Sequence, residues 1–219
     1  MYSIKDFYCS DRIAIIARGA SAAYVCQEND FDDCFLVGQF VNAFKDEQLA
    51  KCLLCKNIVQ VVNKSSIKTD RPTCERFNIL DLQCNFAPDK KGNLSPAKTR
   101  VYNRIVSKNR HLKVHLGPRG IKERRVKPPK SWATTGLYAV DLAAFFHPKE
   151  IWTFGVDFYE SGYFSQERIH VSIESNKKRK KDMIKNLYGI VRRDSDIDFH
   201  VYTSSNSLES MNNLYIHKV

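Results

Sequence analysis

The sequence predicts an α/β fold in which a single doubly wound parallel sheet carries helices on both faces. Three observations predict it. Short, continuous apolar runs recur along the chain, the first being Arg12-Ile-Ala-Ile-Ile-Ala17. Runs of that kind read as strands buried on both faces, the pattern of parallel sheets. Helix-compatible stretches lie between several of them, and the turn Arg18-Gly19-Ala20-Ser21 follows the first run at once. A buried strand, a small-residue turn and then a helix make the opening unit of such a sheet.

The other strands are expected at Cys34–Val37, Ile58–Val62, Phe77–Leu82, Ile151–Val156 and Phe199–Thr203. Helices are expected at Val41–Cys52, at the Ala-rich Leu137–Phe146 and at the basic Lys177–Tyr188, whose apolar stripe is Met183, Ile184 and Leu187. Between about 88 and 131, turn residues and cations crowd together, and Lys108–Lys130 holds nine Lys/Arg against one acid, Glu123. We read this stretch as an exposed, irregular excursion from the sheet. The whole chain, 1–219, is then expected to be one α/β domain, which its length and an apolar fraction of 43% allow.

Charge narrows the partners. The chain has 35 Lys/Arg against 24 Asp/Glu, a net charge of +11 and a pI of about 9.3. That balance suits anionic ligands or surfaces and says nothing about fold. The longest early apolar run ends at Ala17 between arginines, too short for a signal-peptide core or a membrane span. Seven cysteines, an odd count in a chain this long, argue against a disulfide framework and for a reduced, cytoplasmic setting.

Four stretches can carry chemistry. The Gly19-Ala20-Ser21 turn lets backbone N–H groups meet a phosphate at a strand end, although a plain tight turn has the same letters. Thr134-Thr135-Gly136 opens the Ala-rich helix, where hydroxyls either cap the helix or face a ligand. Ile151–Phe164 runs a strand into a loop with two phenols, Tyr159 and Tyr163, which can donate hydrogen bonds to a phosphate or simply pack. His170 follows, a residue type that serves as a general base at neutral pH, although a lone histidine is more often a structural group.

Together these stretches resemble the sialyltransferase superfamily, above all the bacterial lipooligosaccharide sialyltransferases of glycosyltransferase family 42. Ile15-Ile-Ala-Arg-Gly-Ala-Ser21 is similar to that family's first strand and turn, and Asp33-Cys-Phe-Leu-Val-Gly-Gln-Phe40 to its second strand. Thr134-Thr-Gly-Leu-Tyr138 and Lys149-Glu-Ile-Trp-Thr-Phe-Gly-Val-Asp-Phe-Tyr159 match its T-S-G-x-Y and K-E-I-x-x-x-G-I-D-F-Y segments in order. Ile197-Asp-Phe-His-Val-Tyr-Thr-Ser-Ser-Asn-Ser-Leu208 resembles its closing strand. The match covers most of 11–65 and 132–208 and is loose over 66–131.

The resemblance implies a Rossmann-like, GT-A-like sheet with a short lid at about 159–176. It implies an inverting, metal-independent glycosyltransferase that moves sialic acid, or a related ulosonic acid, from a CMP-sugar to a glycan hydroxyl. No cofactor beyond that donor is implied. Donor binding would fall on Gly19, Ala20, Ser21, Gly38, Asn63, Thr134, Thr135 and Gly136. Tyr159 and Tyr163 would hold the leaving phosphate, and His170 would be the catalytic base. The resemblance also suggests assembly into a homo-oligomer, while the basic segments themselves could hold the chain against anionic lipid head groups of a membrane or phosphorylated glycans.

Arg18 and Ala20 stand where the family has Asn and Pro, and Gly38 where it has a donor-binding Asn. The segment between Tyr163 and His170 is shorter than the usual lid. Three other readings stay open. Asp194-Ser-Asp196 and Asp196-Ile-Asp198 have the letters of a metal-binding D-x-D. Cys52, Cys55, Cys74 and Cys84 form an irregular zinc pattern. The two cationic runs, Lys108–Lys130 and Lys177-Lys178-Arg179-Lys180-Lys181, fit a nucleic-acid-binding protein, while the departures at Arg18 and Gly38 fit a non-catalytic nucleotide-binding relative.

Overall fold

The computed structural model describes residues 10–28, 30–31, 33–38, 47–53, 57–62, 69–86, 88–89, 91–117, 134–158 and 173–219. Eight strands form one sheet: β1 Arg12–Ile16, β2 Asp33–Val37, β3 Asn57–Val62, β4 Ile79–Cys84, β5 Lys113–His115, β6 Glu150–Phe154, β7 Asp198–Thr203 and β8 Leu214–Lys218. Their spatial order is β5-β4-β3-β2-β1-β6-β7-β8, and every pairing is parallel. The chain therefore starts in the middle, winds outward through β5, and returns to the other side of β1 with β6.

The helices follow this double winding. A 3-10 helix at Ala20–Cys26, α1 Glu47–Leu53, α2 Arg71–Arg76 and α3 Pro96–Lys108 bury Val25, Leu49, Cys74 and Ile105 against one face of the sheet. On the other face lie α4 Thr135–Phe145 and α5 Ile173–Arg193, with Leu137, Leu142, Leu187 and Ile190 in the second core. All residues of α4 from Gly136 to Ala144 are buried. A helix apolar on every side must be enclosed, and α4 lies between β1, β2, β3 and β6 on one side and α5 on the other. Its one charged residue, Asp141, is paired with Arg193 of α5 at 2.5 Å.

The sequence reading needs correction in four places. The stretch 88–131 is not simply irregular: it contains α3, begun by Ser95 and by Pro96 in the first turn, and the edge strand β5. Strand β4 starts at Ile79 because Phe77 ends α2 and Asn78 turns the chain with φ 51°. Neither α2 nor β8 was legible. The expectation of a reduced chain fails at one pair: Cys26 and Cys52 form a disulfide, because the 3-10 helix packs on α1 and brings their Cα atoms to 5.4 Å. Among the described residues, no helix is long and apolar enough to cross a membrane.

Candidate functional site

In open α/β sheets, the crevice outside the carboxyl ends of the strands is where ligands bind, at the point where the winding reverses. Here that point lies between β1 and β6. The two strands stay paired beyond their ends: Ala17 N–H donates to Phe154 O and Gly19 N–H to Gly155 O, both at 2.8 Å. Gly155 has φ +72°, and a Cβ there would meet Ala17 O at 2.4 Å, so only glycine fits. Gly19 has an ordinary extended backbone, φ −70°. Its restriction is spatial, since a Cβ would lie 2.2 Å from Asp157 Oδ2 and 2.6 Å from Gly155 O.

Asp157 is the residue that sequence reasoning missed. It is buried, and it accepts from Ser21 N–H at 2.9 Å and from the Ser21 hydroxyl at 2.5 Å. Ser21 Oγ in turn accepts from Gly155 N–H at 2.8 Å. The Ser21 amide is thus committed to a carboxylate of the chain itself. Of the turn's three amides, only that of exposed Ala20 has no partner among the described residues. Nothing in the letters around Asp157 announces this, because its partner is 136 positions away.

The start of α4 reaches the same rim. Thr134 caps the helix, its side chain accepting from Leu137 N–H at 3.3 Å. Gly136 packs so closely that a Cβ would sit 3.3 Å from Val156 and 3.9 Å from Ala17. Gly38 ends β2 with φ +77°, and a Cβ there would lie 3.8 Å from Arg18 Cδ, so the Arg18 stem runs beside the vacant side-chain position. The structure thus gathers Gly19, Ala20, Ser21, Thr134, Thr135 and Gly136 at the ends of β1 and β6, with Gly38 one strand away. Asn63, Tyr159, Tyr163 and His170 lie outside the described residues.

The metal readings gain nothing. Asp194 is buried and bonded to Arg193, and Asp194, Asp196 and Asp198 stand at the amino end of β7, away from this rim. Cys52 is in the disulfide, while burial pushes the thiols of Cys74 and Cys84 up to about 11 and about 12, so both stay protonated. Cys55 lies outside the described residues. Among the described residues there is no group of three or more metal-ligating side chains.

No protein-family model matches the chain, and no curated protein sequence does. Solved structures do match. The sialyltransferase CstII from Campylobacter jejuni with cytidine-5'-monophosphate aligns over 95% of this chain and 86% of its own, with 21% identity and a TM-score of 0.57. The same enzyme with the substrate analogue CMP-3FNeuAc aligns over 94% and 85%, with 18% identity and a TM-score of 0.54. CST-II with a trisaccharide acceptor and CMP aligns over 94% and 85%, with 19% identity and a TM-score of 0.56. This chain has the fold of these sialyltransferases.

Proposed function

We propose that the chain is a glycosyltransferase that moves sialic acid, or a related ulosonic acid, from a CMP-sugar to a glycan hydroxyl with inversion and without a metal. The observation that carries this reading is the coincidence of two independent lines. The described ends of segments that resemble family 42 motifs, around Gly19–Ser21, Thr134–Gly136 and Gly155–Asp157, meet at one rim of the sheet, and the fold is that of enzymes solved with CMP and an acceptor trisaccharide.

In this reading, the acceptor oxygen attacks the anomeric carbon as the bond from that carbon to the CMP phosphate oxygen breaks. The hydroxyl proton passes to His170, and CMP leaves with the bonding pair. Removing that proton in the transition state contributes about 10²–10⁴-fold. Charge that develops on the departing phosphate is met by the hydroxyls of Tyr159 and Tyr163, a role a divalent ion would otherwise fill. Gly38, Asn63, Thr134, Thr135 and Gly136 line the donor, and the Ala20 amide adds a donor hydrogen bond that Ser21 has already spent on Asp157.

The reading includes a peripheral contact with anionic lipid. Lys177, Lys181, Lys185 and Arg192 are exposed on α5, and at 3.6 residues per turn they fall within about 80° of one another, opposite the buried Met183 and Ile190. A straight row of cations suits a flat anionic surface.

The test is a transfer assay with CMP-sialic acid and a glycan acceptor, run with and without EDTA, beside thermal shifts with CMP, UMP, GMP and AMP. Transfer that resists EDTA and stabilisation by CMP above the other nucleotides are expected. Salt-sensitive binding of DNA or RNA, with no effect of CMP, would replace this reading with the nucleic-acid one.

A further inference from the structure

A buried carboxylate is costly unless hydrogen bonds satisfy it. Asp157 is 4% exposed, and no cation is paired with it among the described residues. Among the described residues its hydrogen bonds come from Ser21, through N–H and O–H, and Ser21 passes the connection on to Gly155. Gly155 O closes the ring on Gly19 N–H. The ring spans the ends of β1 and β6, where the fold's ligand crevice lies. Next to it, Phe158 has φ 52° although it is a bulky residue with its side chain buried. A left-handed phenylalanine persists only where its surroundings hold it, and such residues cluster at functional sites.

We propose that Asp157 is a positioning residue for the nucleotide rim. Its carboxylate occupies, as a resident anion, the place that the first turn of a nucleotide-binding sheet usually offers to a phosphate. By doing so it fixes the backbone of Gly19–Ser21 against the exit of β6. Ser21 is the link in this ring, and Gly19 is glycine because the carboxylate needs the space. The donor phosphate is then met by groups other than the Ser21 amide. This inference rests on the proposed nucleotide site.

The test compares Asp157→Asn, Ser21→Ala and the double variant with the wild type at a temperature where all are folded. Two quantities are read: CMP affinity by titration, and hydrogen exchange at the Ser21 and Gly155 amides (in the Ala variants, at position 21). Asp157→Asn places an amide donor against the Ser21 donors. It should weaken CMP binding at least tenfold and speed exchange at both amides at least tenfold. The double variant should be no worse than Asp157→Asn alone, because both changes open one ring. Where Asp157→Asn does not fold, Ser21→Ala carries the same two readouts. Unchanged CMP affinity with a lowered Tm makes Asp157 merely structural and overturns the proposal, as does unchanged exchange. Should the wild type fail to bind CMP, the nucleotide reading falls, and exchange alone decides whether the ring locks the turn.

Discussion

The two ends of the central strands are built in opposite ways. At the amino ends of β1 and β6 the chain meets water with ion pairs. Lys149 bonds Asp11 at 2.6 Å with both side chains mostly exposed, and Arg12 bridges Asp30 and Glu150. At the carboxyl ends the same two strands meet each other. Gly19 and Gly155 pack without room for a Cβ, Ser21 is buried, and among the described residues Ser21 is the donor to the buried Asp157 carboxylate. Exposed ion pairs are worth little because water screens them. A buried hydrogen-bonded carboxylate is costly to disturb because its donors lose their partner. The difference locates the rim where geometry is fixed, which is the rim where ligands bind in this class of sheet.

Changes at the two rims and at the proposed chemistry are expected to have effects of very different size. The largest concerns chemistry. His170→Ala is expected to lower transfer by about 10²–10⁴-fold while CMP still binds, measured by CMP release and by titration. Full transfer in that variant removes His170 from the role of base. Tyr159→Phe combined with Tyr163→Phe should lower turnover more than donor affinity, and unchanged turnover counts against the phosphate role.

Next in size is Gly19→Ala. The new Cβ must displace a carboxylate oxygen and a backbone carbonyl. Overpacking of that kind costs about 3 kcal/mol, a fall in Tm of roughly 6–12 °C for a chain of this length. A variant with wild-type Tm would show that the rim is looser than described. At the opposite rim, Lys149→Met should change stability by less than about 1 kcal/mol. A larger loss there would erase the contrast.

A pH effect comes from neither rim but from the far side of the sheet. His200 Nδ1 and His217 Nε2 are 3.1 Å apart, stacked among Trp152, Tyr202 and Tyr215. Burial lowers the pKa of both below 6.5; the neighbouring ring lowers that of His200 further, while Glu28 opposes the shift at both, and Glu150 and Asp198 oppose it at His200. The unfolded chain therefore takes up protons first as pH falls. Stability is complete above pH about 6.5 and declines below it, down to the folded-state values. Tm measured from pH 7.5 to 5 should fall in the wild type and fall less in His217→Gln. A flat wild-type profile contradicts this assignment.

The central strands and α4 were legible because each is a continuous apolar run, the signature of burial on two sides. The edges were not. Strand β8, Leu214-Tyr-Ile-His-Lys, is half exposed and has too few apolar residues to stand out, and β5 is three residues inside a cationic stretch. Helix α3 was hidden by its own lysines and arginines, although Ser95-Pro96 is a helix-start signal that could have revealed it. At the candidate site, the turn and the start of α4 were readable as motifs. Asp157 was not, because its role exists only when residues 136 positions apart meet. Glycine was a clue: Gly19 and Gly155 both follow strand ends, Gly19 crowded by the Asp157 carboxylate and Gly155 O, and Gly155 by its positive φ and the backbone of Ala17.

On the proposed function, CMP binds at the ends of β1 and β6. Amide hydrogen exchange of the full chain with and without saturating CMP tests this most directly. Slowed exchange at residues 17–21 and 134–136, on the rim assembled by Gly19, Ser21 and Gly136, is the predicted result. Protection confined to the basic helix α5, or no protection anywhere, would contradict it.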